Sequence, residues 1–124
     1  MRKLAALALT LGTFIITGCG YNMPEAKEPD HSGQSYAEAL RVMCDVDKVG
    51  SIAEDDPFEA GRKRGEVISA NVLNGDAIYF RTMLSVKGAA EQAADLRKEA
   101  KDCGIDRCAL ADNLEKTGAG GLSP

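Results

Sequence analysis

A chain of 124 residues with 15 basic and 19 acidic side chains carries a formal charge of −4. That length holds one ordinary domain, and an acidic balance with no basic stripe excludes the electrostatic footprint of a nucleic-acid binder. It also supplies no polybasic segment to hold the chain on anionic lipid.

The chain opens MRKLAALALTLGTFIITGCG. Arg2 and Lys3 form a short positive region, and Leu4 to Thr17 is free of charge. This run is too short to cross a hydrocarbon core of about 30 Å, which takes about 20 helical residues. It has the length of the apolar region of a secretory signal. Small residues, Thr17 and Gly18, follow it, and then Cys19.

The run Ile16-Thr17-Gly18-Cys19 resembles the lipobox of bacterial lipoproteins, in which an aliphatic residue and two small ones precede an obligatory cysteine. The lipobox consensus prefers Leu where this chain has Ile16. The resemblance implies that a diacylglycerol alkylates the Cys19 thiol, that the signal is cut between Gly18 and Cys19, and that the new amine is acylated. A thiolate is the nucleophile such chemistry needs. One acyl chain holds a protein only marginally, whereas two or three hold it stably. Gly20 stands where Asp would favour the inner membrane in enterobacterial lipoproteins, so the resemblance leans toward the outer membrane. The alternative is a plain secreted protein whose Cys19 enters a disulfide.

Residues 1–18 are thus expected to be the signal, and 19–34 a lipidated cysteine with its tether. The segment GYNMPEAKEPDHSGQS has two prolines, few apolar side chains and mixed charge, and cannot bury enough surface to fold. A helical domain is expected over 35–116, and the glycine-rich 117–124 is expected to be a disordered tail.

Ser35 with Glu38 forms a capping-box pattern. After it Ala37, Leu40, Val42, Met43, Cys44, Val46 and Val49 recur at helical spacing up to Gly50. Asp56-Pro57 with Glu59 predicts the next start. Phe58, Gly61, Val67, Ile68 and Leu73 would face inward, and Asn74-Gly75 would close that helix. Asp76 would cap a third helix carrying Ile78, Tyr79, Met83 and Leu84. The run 77–80 tolerates a strand, but nothing else in the chain would pair with it. Ala90, Ala93, Leu96, Ala100 and Cys103 mark a fourth helix ending at Gly104. A short last one would start at Asp106 and bury Cys108, Ala111 and Leu114. The expectation is an all-α bundle of four to five short helices, with alanines that favour close packing over a ligand cavity.

Lipidation of Cys19 leaves Cys44, Cys103 and Cys108. Beyond the inner membrane a disulfide is the default, and the odd count leaves one thiol. A bridge from Cys44 closes the longer loop and stabilises more. Cys108 is its preferred partner and Cys103 the rival, Cys103 otherwise being an inert buried thiol. CGIDRC is too widely spaced for a thioredoxin-like pair, and its use as a redox pair is the least favoured reading.

The stretch DVDKVGSIAEDD resembles a calcium loop at Asp45, Asp47, Gly50 and Ile52, with Asp56 at its end. Val49 cannot ligate, and Asp56 is shorter than the bidentate Glu of that motif. The competing reading puts Asp45 and Asp47 on the solvent side of the first helix and lets Asp55 and Asp56 cap the second. Arg62, Lys63 and Arg64 read as a solvated helix face rather than an anion patch. The only histidine, His31, lies in the tether, so no Ser-His or Cys-His dyad can form in the domain. No motif asks for a cofactor. The expected function is a non-catalytic lipoprotein facing the periplasm or cell surface. Its partners would be the membrane and an envelope protein, with a calcium-modulated binding module as the alternative.

Overall fold

The computed structural model describes residues 19–20, 32–118 and 122. The signal, most of the tether with His31, and most of the tail lie outside the described residues. Those described form an all-α domain of six helices: α1 (Tyr36–Cys44), α2 (Val46–Val49), α3 (Pro57–Asn71), α4 (Gly75–Ser85), α5 (Ala89–Asp102) and α6 (Ala109–Thr117).

Helix α1 starts where the capping box places it. The Glu38 amide donates to Ser35 Oγ at 3.1 Å, and the Ser35 amide donates to Glu38 Oε2 at 2.8 Å. Two of the orphan donors of a helix start are thereby satisfied. Ser35→Ala is expected to cost about 1 kcal/mol, read as a lower urea midpoint with an unchanged slope. The helix does not run through to Gly50. Asp45 leaves helical geometry at φ −103°, ψ 23°, and a short α2 restarts after it. That break raises the count of helices above the four or five expected.

Helix α1 is the hub and packs against each of the other five. Tyr36, Ala39, Leu40, Met43 and Cys44 leave it almost wholly buried, and Val46, Ile68, Phe80, Leu84, Leu96, Leu110 and Leu114 close around them. Each such buried aliphatic contributes about 2 kcal/mol from water exclusion alone. Leu122 also enters this core at 2% exposure, so the expected disordered tail is corrected at that residue.

Helix α3 begins with Asp56 as cap, its Oδ1 accepting from the Glu59 amide at 3.0 Å, and Pro57 first in the helix. Its inward stripe is Ala60, Gly61, Arg64 and Ile68. Phe58 and Leu73, expected inside, are exposed. Asn74-Gly75 does not close α3, which ends at Asn71. Asn74 instead caps α4, its Oδ1 accepting from the amides of Asp76 and Ala77. A short polar side chain serves a helix start as readily as a stop, and here it displaces Asp76 as the cap. In α4 the buried positions are Ala77, Phe80 and Leu84, while Ile78 and Met83 point outward.

Helices α4 and α5 form a tight hairpin. Gln92 Nε2 donates to the carbonyls of Leu84 and Lys87, both at 2.9 Å, and Lys87 pairs with Asp95. Ala93, Leu96 and Ala100 bury as expected, but Ala90 is exposed. Gly104 ends α5 at φ +75°, a left-handed geometry that an L side chain adopts only with strain. Helix α6 starts at Ala109, three residues later than expected.

Candidate functional site

Two disulfides join the described cysteines, Cys44–Cys108 and Cys19–Cys103. The first brings the end of α1 to the residue before α6, with 4.5 Å between Cα atoms, and both cysteines are buried. This is the pairing preferred from the sequence, over the rival Cys44–Cys103. Cys103 corrects the expectation of a leftover buried thiol. It is half-buried and bonded to Cys19, with 4.9 Å between Cα atoms. Cys103 and Cys108 therefore belong to different bonds.

Cys19 lies partly buried against the core, bonded to Cys103. Its sulfur forms one bond beyond its own Cβ. A disulfide to Cys103 and a thioether to lipid therefore exclude one another.

The chain enters the domain through Gln34. Its Oε1 accepts from the amides of Leu73 at 2.7 Å and Asn74 at 3.0 Å, and its Nε2 donates to the Asn71 carbonyl at 2.9 Å. Asn74 Nδ2 returns a bond to the Gln34 carbonyl at 2.9 Å. This clasp fixes the end of the tether to the joint between α3 and α4. Nothing in the spacing of the sequence announces it, because the partners are about 40 residues away.

The three carboxylates of the calcium reading do not converge. Asp45 is exposed at the junction of α1 and α2, and Asp56 caps α3. Asp47 faces Arg64, which reaches it through Nε at 2.6 Å and Nη2 at 3.0 Å, and Asn113 Nδ2 donates to it at 3.3 Å. Among the described residues no group of three His, Cys, Asp or Glu side chains could hold a metal ion. Gly50 keeps a tight approach: a Cβ there would stand 2.5 Å from Val67 Cγ2.

The GRKRGE stretch splits its charges. Arg62 pairs with Glu59 and Glu66, and Lys63 with Glu54 at 2.9 Å, on the solvent side. The Lys63 hydrogen bond holds the Glu54 carboxyl below its ordinary range. Arg64 alone turns inward, 8% exposed. Its place on the Ala60, Arg64, Ile68 stripe was the available signal. Elsewhere Arg97 bonds Glu115 and Asp112 and so ties α5 to α6, and those bonds raise its pKa. Arg81 donates to Ser69 Oγ at 2.8 Å, and burial lowers its pKa.

A shallow groove of about 180 Å³ runs between α4 and α5, lined by Phe80, Met83, Leu84, Lys87, Asp95, Lys98 and Glu99. Tyr36 donates its hydroxyl to the lining residue Glu99 at 3.1 Å. Single apolar side chains stand out from the surface, Phe58 at 76% and Val86 at 79% exposure. Among the described residues no helix is long and apolar enough to cross a membrane. Compared with known protein families, with curated proteins and with solved structures, the chain matches none of them.

Proposed function

We propose that this chain is a bacterial lipoprotein whose acylated Cys19 holds a small helical domain at an envelope membrane. The carrying observation is Ile16-Thr17-Gly18-Cys19 directly after an uncharged run and a basic start. The apolar run suits export rather than spanning, and an acidic domain gains nothing from anionic lipid, so the acyl chains supply the attachment. Gly20 favours the outer membrane. The domain acts as a binding or structural module for an envelope protein. Its capping carboxylates and ion pairs serve the fold, and it has no histidine from which to build a nucleophilic dyad.

The test is Cys19→Ser beside Cys103→Ser, with membrane sedimentation and intact mass as readouts. Both variants break the Cys19–Cys103 bond, but only the first removes the acylated atom. Cys19→Ser is expected to leave the membrane fraction and to lose cleavage before residue 19, while Cys103→Ser keeps both. A Cys19→Ser protein still sedimenting with vesicles and still trimmed at that bond overturns the proposal.

One observation favours a second reading. With Cys19 bonded to Cys103, the chain would be a secreted domain stapled twice, its N-terminal end drawn onto the core. An intact mass showing no acyl group and no free thiol would establish that form.

A further inference from the structure

We infer that Cys103 competes with lipid for the sulfur of Cys19, so that this one chain has two mature fates set by thiol oxidation in the envelope. The inference rests on the lipoprotein reading and adds to it the residue that opposes acylation.

The geometry is that of an intramolecular capture site. Residues 19 and 103 are 84 positions apart in sequence, yet their Cα atoms stand 4.9 Å apart. That separation falls within the span a disulfide accepts. Cys19 packs partly buried against the core, and its partner Cys103 directly precedes the turn that Gly104 makes after α5. A folded chain thus holds the two thiols at a high effective concentration. The other two cysteines are occupied with each other, so Cys103 has no competing partner among the described cysteines.

The two fates differ in chemistry. In the first, the Cys19 and Cys103 thiols together lose two protons and two electrons and form the S–S bond. An envelope dithiol oxidase, in its disulfide form, accepts both electrons and both protons and becomes a dithiol. In the second, the Cys19 thiolate attacks a carbon of an activated diacylglyceryl donor. The C–S bond forms, that carbon's bond to its leaving group breaks, and the thiol proton ends on the leaving group. Thiol–disulfide exchange reverses the first fate, whereas no thiol reverses a thioether. The disulfide is therefore a reservoir and the lipid a terminus, and reducing conditions drain one into the other. Acylation of Cys19 also leaves Cys103 as a free thiol.

The experiment uses the full chain, expressed in a bacterial host and fed an alkyne fatty acid. Denatured, unreduced protein is then treated with a maleimide polymer that adds mass to each free thiol. Acyl-labelled wild-type chains are expected to gain one adduct, at Cys103, and unlabelled chains none. Cys103→Ser and Cys103→Ala should each move the unlabelled fraction into the labelled one, and so should a pulse of reductant given to wild-type cells. An acyl-labelled fraction that is the same in wild type, both variants and reductant-treated cells overturns the competition while leaving the lipoprotein reading intact. Absence of acyl label from every sample overturns the lipoprotein reading itself.

Discussion

Replacing Cys44 and Cys108 together by alanine is expected to lower the stability of the domain by about 4 kcal/mol. The bond joins residues 64 positions apart, and in the chain-entropy model a loop of that length confines the unfolded chain by about that amount. Two further losses act in the same direction. Both sulfurs are buried in the central cluster around α1, so truncation opens small cavities. The residue before α6 also loses its covalent hold on the hub helix. A domain of this size keeps about 5–10 kcal/mol in all, so the variant should retain only about 1–6 kcal/mol. Urea unfolding followed by far-ultraviolet circular dichroism, without reductant, measures the difference. A shift below about 1 kcal/mol would show that the unfolded chain is already compact enough to make the bond redundant.

Asp47→Ala is expected to be the most damaging charge substitution in the chain, costing about 2–3 kcal/mol. Arg64 is nearly buried and makes two hydrogen bonds to the Asp47 carboxylate, at 2.6 and 3.0 Å. Removing the carboxylate takes two hydrogen bonds from a nearly buried cation and an acceptor from Asn113. The side chain of Asp47 is 33% exposed, which softens the loss from the 3–5 kcal/mol typical of wholly buried pairs. Asp47→Asn keeps the shape and one acceptor and should fall between wild type and alanine. Asp45→Ala, on an exposed junction, should stay within about 0.5 kcal/mol. Thermal melting of all three variants, repeated with millimolar calcium, also tests the calcium loop. Asp47 already serves Arg64, so calcium is expected to leave the wild-type midpoint unmoved. A rise in that midpoint, abolished by Asp45→Ala, would restore a metal role to this stretch.

The helix starts were the legible part of this chain. Ser35 with Glu38, and Asp56 with Pro57 and Glu59, are patterns in which a side chain completes a neighbouring backbone amide, so a few residues carry the whole cause. The all-α class follows from the same local logic. Positions whose role depends on distant partners were not legible. Arg64 breaks the apolar stripe of α3 and reads as solvent-facing until Asp47, 17 residues earlier, is seen to neutralise it. Phe58 fits an inward spacing but lies on the first turn, beyond the neighbours that would cover it. Asn74 satisfies the local rules for both ends of a helix. That Cys44 pairs with a late cysteine was legible because loop length ranks either such bridge above Cys103–Cys108, once Cys19 is set aside; between Cys103 and Cys108 it does not choose. Setting Cys19 aside is what hid its bond to Cys103.

The clasp at Gln34 has a mechanical consequence. A pull applied to the chain ahead of residue 32 meets this side chain first. Four hydrogen bonds to Asn71, Leu73 and Asn74 then share the load in parallel before any of it reaches Ser35 and the first turn of α1. Tension from that side is thereby delivered to the elbow between α3 and α4 rather than to the first turn of α1. The domain should resist being drawn open from its N-terminal side more strongly than the count of its caps suggests.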